Sequence, residues 1–225
     1  MKLVIFDCDG TLVDSQNAIC AAMDLAFGGL GLKPPQRYEV LGVVGLSLPE
    51  AFAALAPEQP ATVRIALADG YKAAFPRHAP SPVPRDPLFN GAKAAIEALA
   101  RRNDIVLGIA TGKSRRGVDR LLDQEGWHGL FRTIQTADGH PSKPHPSMIE
   151  TAMREAEIGH DRTVIVGDTT FDITMGLNAR VTTIGVGWGY HDVGALERAG
   201  AHAIVSEFEA VEPAIDRLLG GRSQG

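Results

Sequence analysis

Met1-Lys2-Leu3-Val4-Ile5-Phe6-Asp7-Cys8-Asp9-Gly10-Thr11-Leu12 is the stretch that decides the fold. Leu3 to Phe6 are unbroken apolar residues, and they run directly into a polar turn with two aspartates and a glycine. A short apolar run without alternation reads as a strand buried on both faces. Similar runs recur at Ile105–Ala110, Thr163–Val166 and Val181–Val186, with weaker ones at Thr133–Thr136 and Ala203–Val205.

Helical patterns lie between these runs. Ala92, Ala95, Ile96, Leu99 and Ala100 share one helical face, with Asn90 as the expected cap. Met148, Ile149, Ala152, Met153 and Ala156 form a second stripe, and Pro146 sits where a helix start tolerates proline. Buried strands alternating with amphipathic helices predict an α/β fold, a doubly wound parallel sheet with a Rossmann-like core.

One region breaks the alternation. From Ser15 to Arg85 the pattern is helical, beginning with Ala18, Ile19, Ala22, Met23, Ala26 and Phe27. It ends in Pro76, Pro80, Pro82, Pro84 and Pro87, which read as a stiff linker. The expected organisation is therefore an α/β core of residues 1–15 and 86–225, interrupted by a helical insert at 16–85.

Composition bounds the function. The chain has 225 residues, 44% apolar and 22% charged, with a formal charge of −5. Those values suit a soluble globular protein and give no basic footprint for nucleic acid and no membrane-binding surface. The apolar start is too short for a signal-peptide core or a membrane span. Cys8 and Cys20 read as free thiols in a reducing compartment, so the cytoplasm is the expected location.

Four segments carry candidate chemistry. Asp7 and Asp9, two apart after a strand, point the same way if the chain stays extended. Like charges that close call for a cation or a raised pKa, and an oxygen-seeking divalent ion such as magnesium suits them. An ordinary acidic turn has the same composition. The spacing is not that of an EF-hand, because Gly10 is at the fourth loop position rather than the sixth.

Thr111-Gly112-Lys113-Ser114 follows another strand, and its hydroxyl and backbone amides could cradle an anion or simply cap the next helix. Leu107 stands where a nucleotide-binding P-loop needs glycine, which excludes that motif. Lys143, before Pro144, could hold a phosphate; a lone lysine is more often solvated. Asp168 and Asp172 follow the strand at 163–166. They could serve as a metal ligand and its support, or as helix-capping acids. Ligands of open α/β sheets bind beyond the carboxyl ends of the strands, where all four segments would converge. That inventory suits a phosphate dianion and one divalent cation.

These motifs, in this order, resemble the haloacid dehalogenase superfamily, specifically its phosphoglycolate-phosphatase-like hydrolases with an inserted helical cap. The matching residues are Asp7-x-Asp9-Gly10-Thr11, Thr111, Lys143-Pro144 and Gly167-Asp168-Thr169-x-x-Asp172. The resemblance implies a magnesium-dependent phosphomonoester hydrolase acting on a small phosphorylated metabolite, with 2-phosphoglycolate the leading candidate. Asp7 would be the nucleophile and Asp9 the acid and base. Thr111, Gly112 and Lys143 would hold the phosphoryl oxygens. Asp7, the Asp9 backbone carbonyl and Asp168 would bind magnesium, supported by Asp172.

The family's dehalogenases lack the second aspartate, so Asp9 favours phosphoryl chemistry. Its phosphonate-cleaving members need a Schiff-base lysine in the cap, and neither Lys33 nor Lys72 lies in such a motif. A phosphosugar mutase or a non-enzymatic phosphate-binding module on the same core are the alternatives. Gly42 to Glu50 resembles the cap loop that faces the site, or is a helix connection capped by Ser47. Arg37, Arg64 and Lys72 are solvated or meet an anionic substrate.

Overall fold

The computed structural model describes residues 1–75 and 86–220. Six parallel strands form one sheet: β1 (Lys2–Phe6), β2 (Ile105–Thr111), β3 (Phe131–Thr136), β4 (Thr163–Gly167), β5 (Thr182–Val186) and β6 (Ala203–Val205). Their spatial order is β3-β2-β1-β4-β5-β6. All six coincide with the apolar runs of the sequence, to within two residues at either end. The order reverses beside β1, so a crevice opens at the carboxyl ends of β1 and β4.

The period of two along β1 sorts its side chains onto two cores. Val4 and Phe6 join the cluster built by Ile96 and Leu99 of α5 (Ala92–Ala100), Val118 and Leu122 of α6 (Arg115–Glu125), and Ile215 of α10 (Val211–Gly220). Leu3 and Ile5 face the opposite side, against Met148 and Ile149 of α7 (Ser147–Ala156) and Met175 of α8 (Thr170–Asn178). Both faces of the sheet are thus covered, which is why the strands are apolar without alternation.

Between β1 and α5 the described residues form α1 (Gln16–Gly29), α2 (Arg37–Leu41), α3 (Leu48–Leu55) and α4 (Ala61–Ala73). Their apolar faces pack on a cluster of their own that includes Met23, Phe27, Val40, Phe52 and Leu67. The six residues expected on the buried face of α1 are all buried. The prolines at 76, 80, 82 and 84 lie outside the described residues. Pro87 is described, and its carbonyl accepts from Asp14 N at 2.8 Å.

One expectation is corrected. Asn90 does not cap α5; Gly91 holds that position with φ at 84°, a left-handed conformation that glycine adopts without a Cβ penalty. A Cβ there would also stand 2.9 Å from Phe208 Cβ. Pro146 does stand immediately before α7. No disulfide joins Cys8 and Cys20; both are free. Among the described residues, no helix is long and apolar enough to cross a membrane.

Candidate active site

The turn after β1 is set by Gly10, whose φ is +81°; an added Cβ would meet Asp168 Oδ2 at 2.2 Å. Only a glycine in that conformation lets the loop from β1 close onto the end of β4. Thr11 Oγ1 then donates to Asp168 Oδ1 at 2.9 Å, and Tyr190 N donates to Oδ2 at 2.9 Å. Gly189 is equally tight, since a Cβ on it would stand 2.1 Å from Asp168 Cβ. Asp168 is fixed by the backbone of two loops.

Asp172 occupies the first turn of α8. Thr169 caps that helix, and Asp172 Oδ2 accepts from Thr169 N at 3.1 Å and Thr169 Oγ1 at 2.7 Å. Its other oxygen, Oδ1, accepts from Lys143 Nζ at 2.6 Å. The same ammonium lies 2.9 Å from Asp7 Oδ2. Lys143 is 2% exposed, so the solvated reading of this lysine is excluded. Its carboxylate partners outweigh the cost of burial and push its pKa up.

Asp7, Asp168 and Asp172 are all buried, and one oxygen of each lies within 4.8 Å of the others. Three carboxylates crowd together and one lysine pairs with only two of them, an excess of negative charge that the interior does not tolerate unaided. Asp7 is accordingly pushed up to about 6, chiefly by burial, with Asp172 adding and Lys143 opposing. Asp168 is raised well above the usual carboxylate range by burial, then by the charges of Asp172 and Asp7. Asp7 Oδ1 accepts from Cys8 N at 2.6 Å, while Oδ2 is buried and accepts no hydrogen bond among the described residues. The Lys143 ammonium is its Coulombic neighbour. This buried all-oxygen cluster, with more negative charge than its one lysine offsets, fits a divalent cation.

Asp9 stands apart from that cluster. Its Oδ1 accepts from Lys113 Nζ at 2.6 Å, and Lys113 also lies 3.4 Å from Asp86 Oδ2. Burial followed by the charges of Asp7 and Asp9 pushes the Cys8 thiol up, so Cys8 stays protonated between them.

Thr111 is buried, and its Oγ1 accepts from Lys113 N at 3.2 Å. Ser114 caps α6 by accepting from Gly117 N at 3.3 Å. Gly112 is where the inserted helices touch the core: a Cβ on it would meet the Gly45 carbonyl oxygen at 2.6 Å. Ser47 N, immediately before α3, donates to Ser142 Oγ at 2.8 Å, one residue before Lys143. The loop from Gly42 to Ser47 therefore lies over the ends of β2 and the Lys143 segment. Arg37 is engaged elsewhere, with Gln16 Oε1 and Asn17 Oδ1, and Lys72 pairs with exposed Asp69.

The structure thus brings Asp7, Lys143, Asp168 and Asp172 together and sets Asp9 and Thr111 beside them. Lys113 and Asp86 were not among the expected site residues. The signal available for Lys113 was its place two residues after Thr111 at a strand end; Asp86 carried none.

Comparisons with known proteins bear on the family and the fold. The family model described as Haloacid dehalogenase-like hydrolase matches residues 4–186. A Dickeya dadantii protein named "Probable phosphatase IndB" is 34% identical over 223 residues, covering 96% of this chain and 94% of its own. The phosphoglycolate phosphatase of Agrobacterium fabrum is 29% identical over 223 residues, covering 96% and 93%. The solved structure titled "a predicted phosphatase from Clostridium acetobutylicum" superposes with a TM-score of 0.84 at 23% identity, covering 96% of this chain and 99% of that one. A match across more than half of the chain, joined to a relative above 30% identity, establishes that this protein belongs to the haloacid dehalogenase-like hydrolase family.

Proposed function

We propose that the chain is a magnesium-dependent phosphomonoester hydrolase that passes the phosphoryl group through Asp7. The observation that carries this is the ordered buried carboxylate at Asp7, whose Oδ2 accepts no hydrogen bond and faces the Lys143 ammonium at 2.9 Å. The names of the relatives support phosphatase chemistry, and one of them supports 2-phosphoglycolate as the first substrate to try.

Asp7, Asp168 and the Asp9 backbone carbonyl would hold magnesium, with Asp172 supporting. When bound, magnesium supplies positive charge against the phosphate dianion and the charge-dispersed transition state. Two unit charges of like sign at 4 Å repel by about 4 kcal/mol at an effective dielectric near 20. Lys143 opposes that repulsion from the protein side and, with Thr111 and the Gly112 amide, holds the phosphoryl oxygens.

In the first step an Asp7 carboxylate oxygen bonds to phosphorus as the bond to the ester oxygen breaks. The departing electron pair is protonated by Asp9. In the second step Asp9 accepts a proton from water as that water attacks phosphorus, and Asp7 returns to its carboxylate. The helices of 16–85 would act as a cap over this site, with the Gly42–Ser47 loop facing the substrate.

Asp7→Asn tests the reading against an aryl phosphate with magnesium present. Phosphate release should fall by at least about a hundredfold. Retention of metal-dependent release in that variant rules the mechanism out.

A further inference from the structure

Lys113 lies outside the phosphate-holding set described above, yet it is the cation that touches Asp9. Its Nζ stands 2.6 Å from Asp9 Oδ1 and 3.4 Å from Asp86 Oδ2, and the three side chains are 18%, 12% and 20% exposed. Asp86 Oδ1 is buried and has no hydrogen-bond partner among the described residues. The lysine's path is built as well as its end. Its stem lies across Gly117, where a Cβ would stand 2.8 Å from Lys113 Cγ, 3.1 Å from Cε and 3.2 Å from Cδ. A side chain at 117 would displace the whole arm, not a flexible tip.

The geometry points to Lys113 as the positioning residue that fixes where the Asp9 carboxylate sits. This inference rests on the proposed role of Asp9 in moving the leaving-group proton. Asp9 belongs to a loop whose other carboxylate, Asp7, faces the opposite partner, Lys143. Two lysines from different strand ends thus separate two aspartates only two residues apart, one toward phosphorus and one toward the leaving oxygen. Asp86 holds the far side of the Lys113 ammonium, so the arm is fixed at the stem by Gly117 and at the tip by two carboxylates. As the ester bond breaks, the electron pair stays on the leaving oxygen and the Asp9 proton moves to it. That transfer needs Asp9 within hydrogen-bond reach, and a misplacement of about 1 Å costs on the order of a hundredfold.

The test compares kcat/KM on two esters in the full chain with magnesium: an alkyl phosphate, whose leaving alkoxide needs the proton, and 4-nitrophenyl phosphate, whose leaving group does not. Lys113→Met should lower kcat/KM on the alkyl ester by about a hundredfold and on the aryl ester by less than about threefold. Gly117→Ala is the second variant. Alanine favours a helix by about 1 kcal/mol over glycine, so the fold is kept while the lysine stem is pushed aside. It should show the same selective loss to a smaller degree. A loss equal on both esters, a gain, or no change in either variant overturns the positioning role. Absence of Asp7-dependent turnover in the unaltered chain would instead bring down the reading beneath it.

Discussion

Gly10 and Asp168 approach so closely that a methyl group on Gly10 would stand 2.2 Å from Asp168 Oδ2. They are far apart in the chain, yet this one approach joins the loop after β1 to the end of β4. Gly10→Ala meets both that clash and the cost of a left-handed φ of +81°. The variant should lose about 1–3 kcal/mol of stability. Because Asp168 must also shift, divalent-cation affinity should fall about ten- to a hundredfold. Urea denaturation and calorimetric titration with magnesium check the two separately; a variant with unaltered affinity contradicts the placement of Asp168 as a ligand.

Lys143 pairs with two buried carboxylates at once, so its removal should be costly. Lys143→Met leaves Asp7 and Asp172 without their ion-pair partner. Breaking a buried pair from one side costs about 3–5 kcal/mol. Added magnesium should recover part of that loss by replacing the missing positive charge. Chemical denaturation with and without the cation measures it, and a change below about 0.5 kcal/mol would mean that Lys143 is not structural to the cluster.

His191 provides a pH dependence of its own, with Asp172 and Asp192 opposing the effect of burial. Its Nδ1 accepts from Thr170 N at 3.1 Å, at the first turn of α8. Burial holds its pKa below the ordinary 6.5. Below pH 6.5 the unfolded chain takes up a proton that the folded chain refuses, so the unfolded state binds more protons. Stability from this group is therefore complete above pH 6.5 and is lost as pH falls toward the folded value. His191→Gln should flatten the decline in stability between pH 6.5 and 5, as read by urea midpoints at each pH. An unchanged slope would assign that decline to other groups.

The sheet was legible because burial on both faces leaves an unmistakable signal. Leu3 to Phe6 have no polar position to mark a solvent side, and β4 and β5, whose threonines stand only at their starts, are buried along their whole length. The carboxylate cluster was legible because Asp7 and Asp168 each follow such a strand directly. What the sequence withheld depends on long-range pairing. Lys113 finds Asp9 across 104 positions, and its place just past a strand end does not by itself name that partner. Asn90 misled for a local reason: it has the chemistry of a helix cap, but the close packing of Phe208 on Gly91 and the left-handed backbone there decide the start of α5. The loop at Gly45 took its place through backbone contact with Gly112, an approach governed by the absence of side chains.

The central claim is that Asp7 becomes phosphorylated. It is tested most directly by mixing the protein with magnesium and an alkyl phosphate, quenching in acid within a turnover, and reducing with borohydride. An aspartyl-phosphate at Asp7 is converted to homoserine there, and peptide mass spectrometry should find that change at position 7 and nowhere else. Phosphate released in the same turnovers with Asp7 unaltered, or homoserine at Asp9 in its place, would contradict the account.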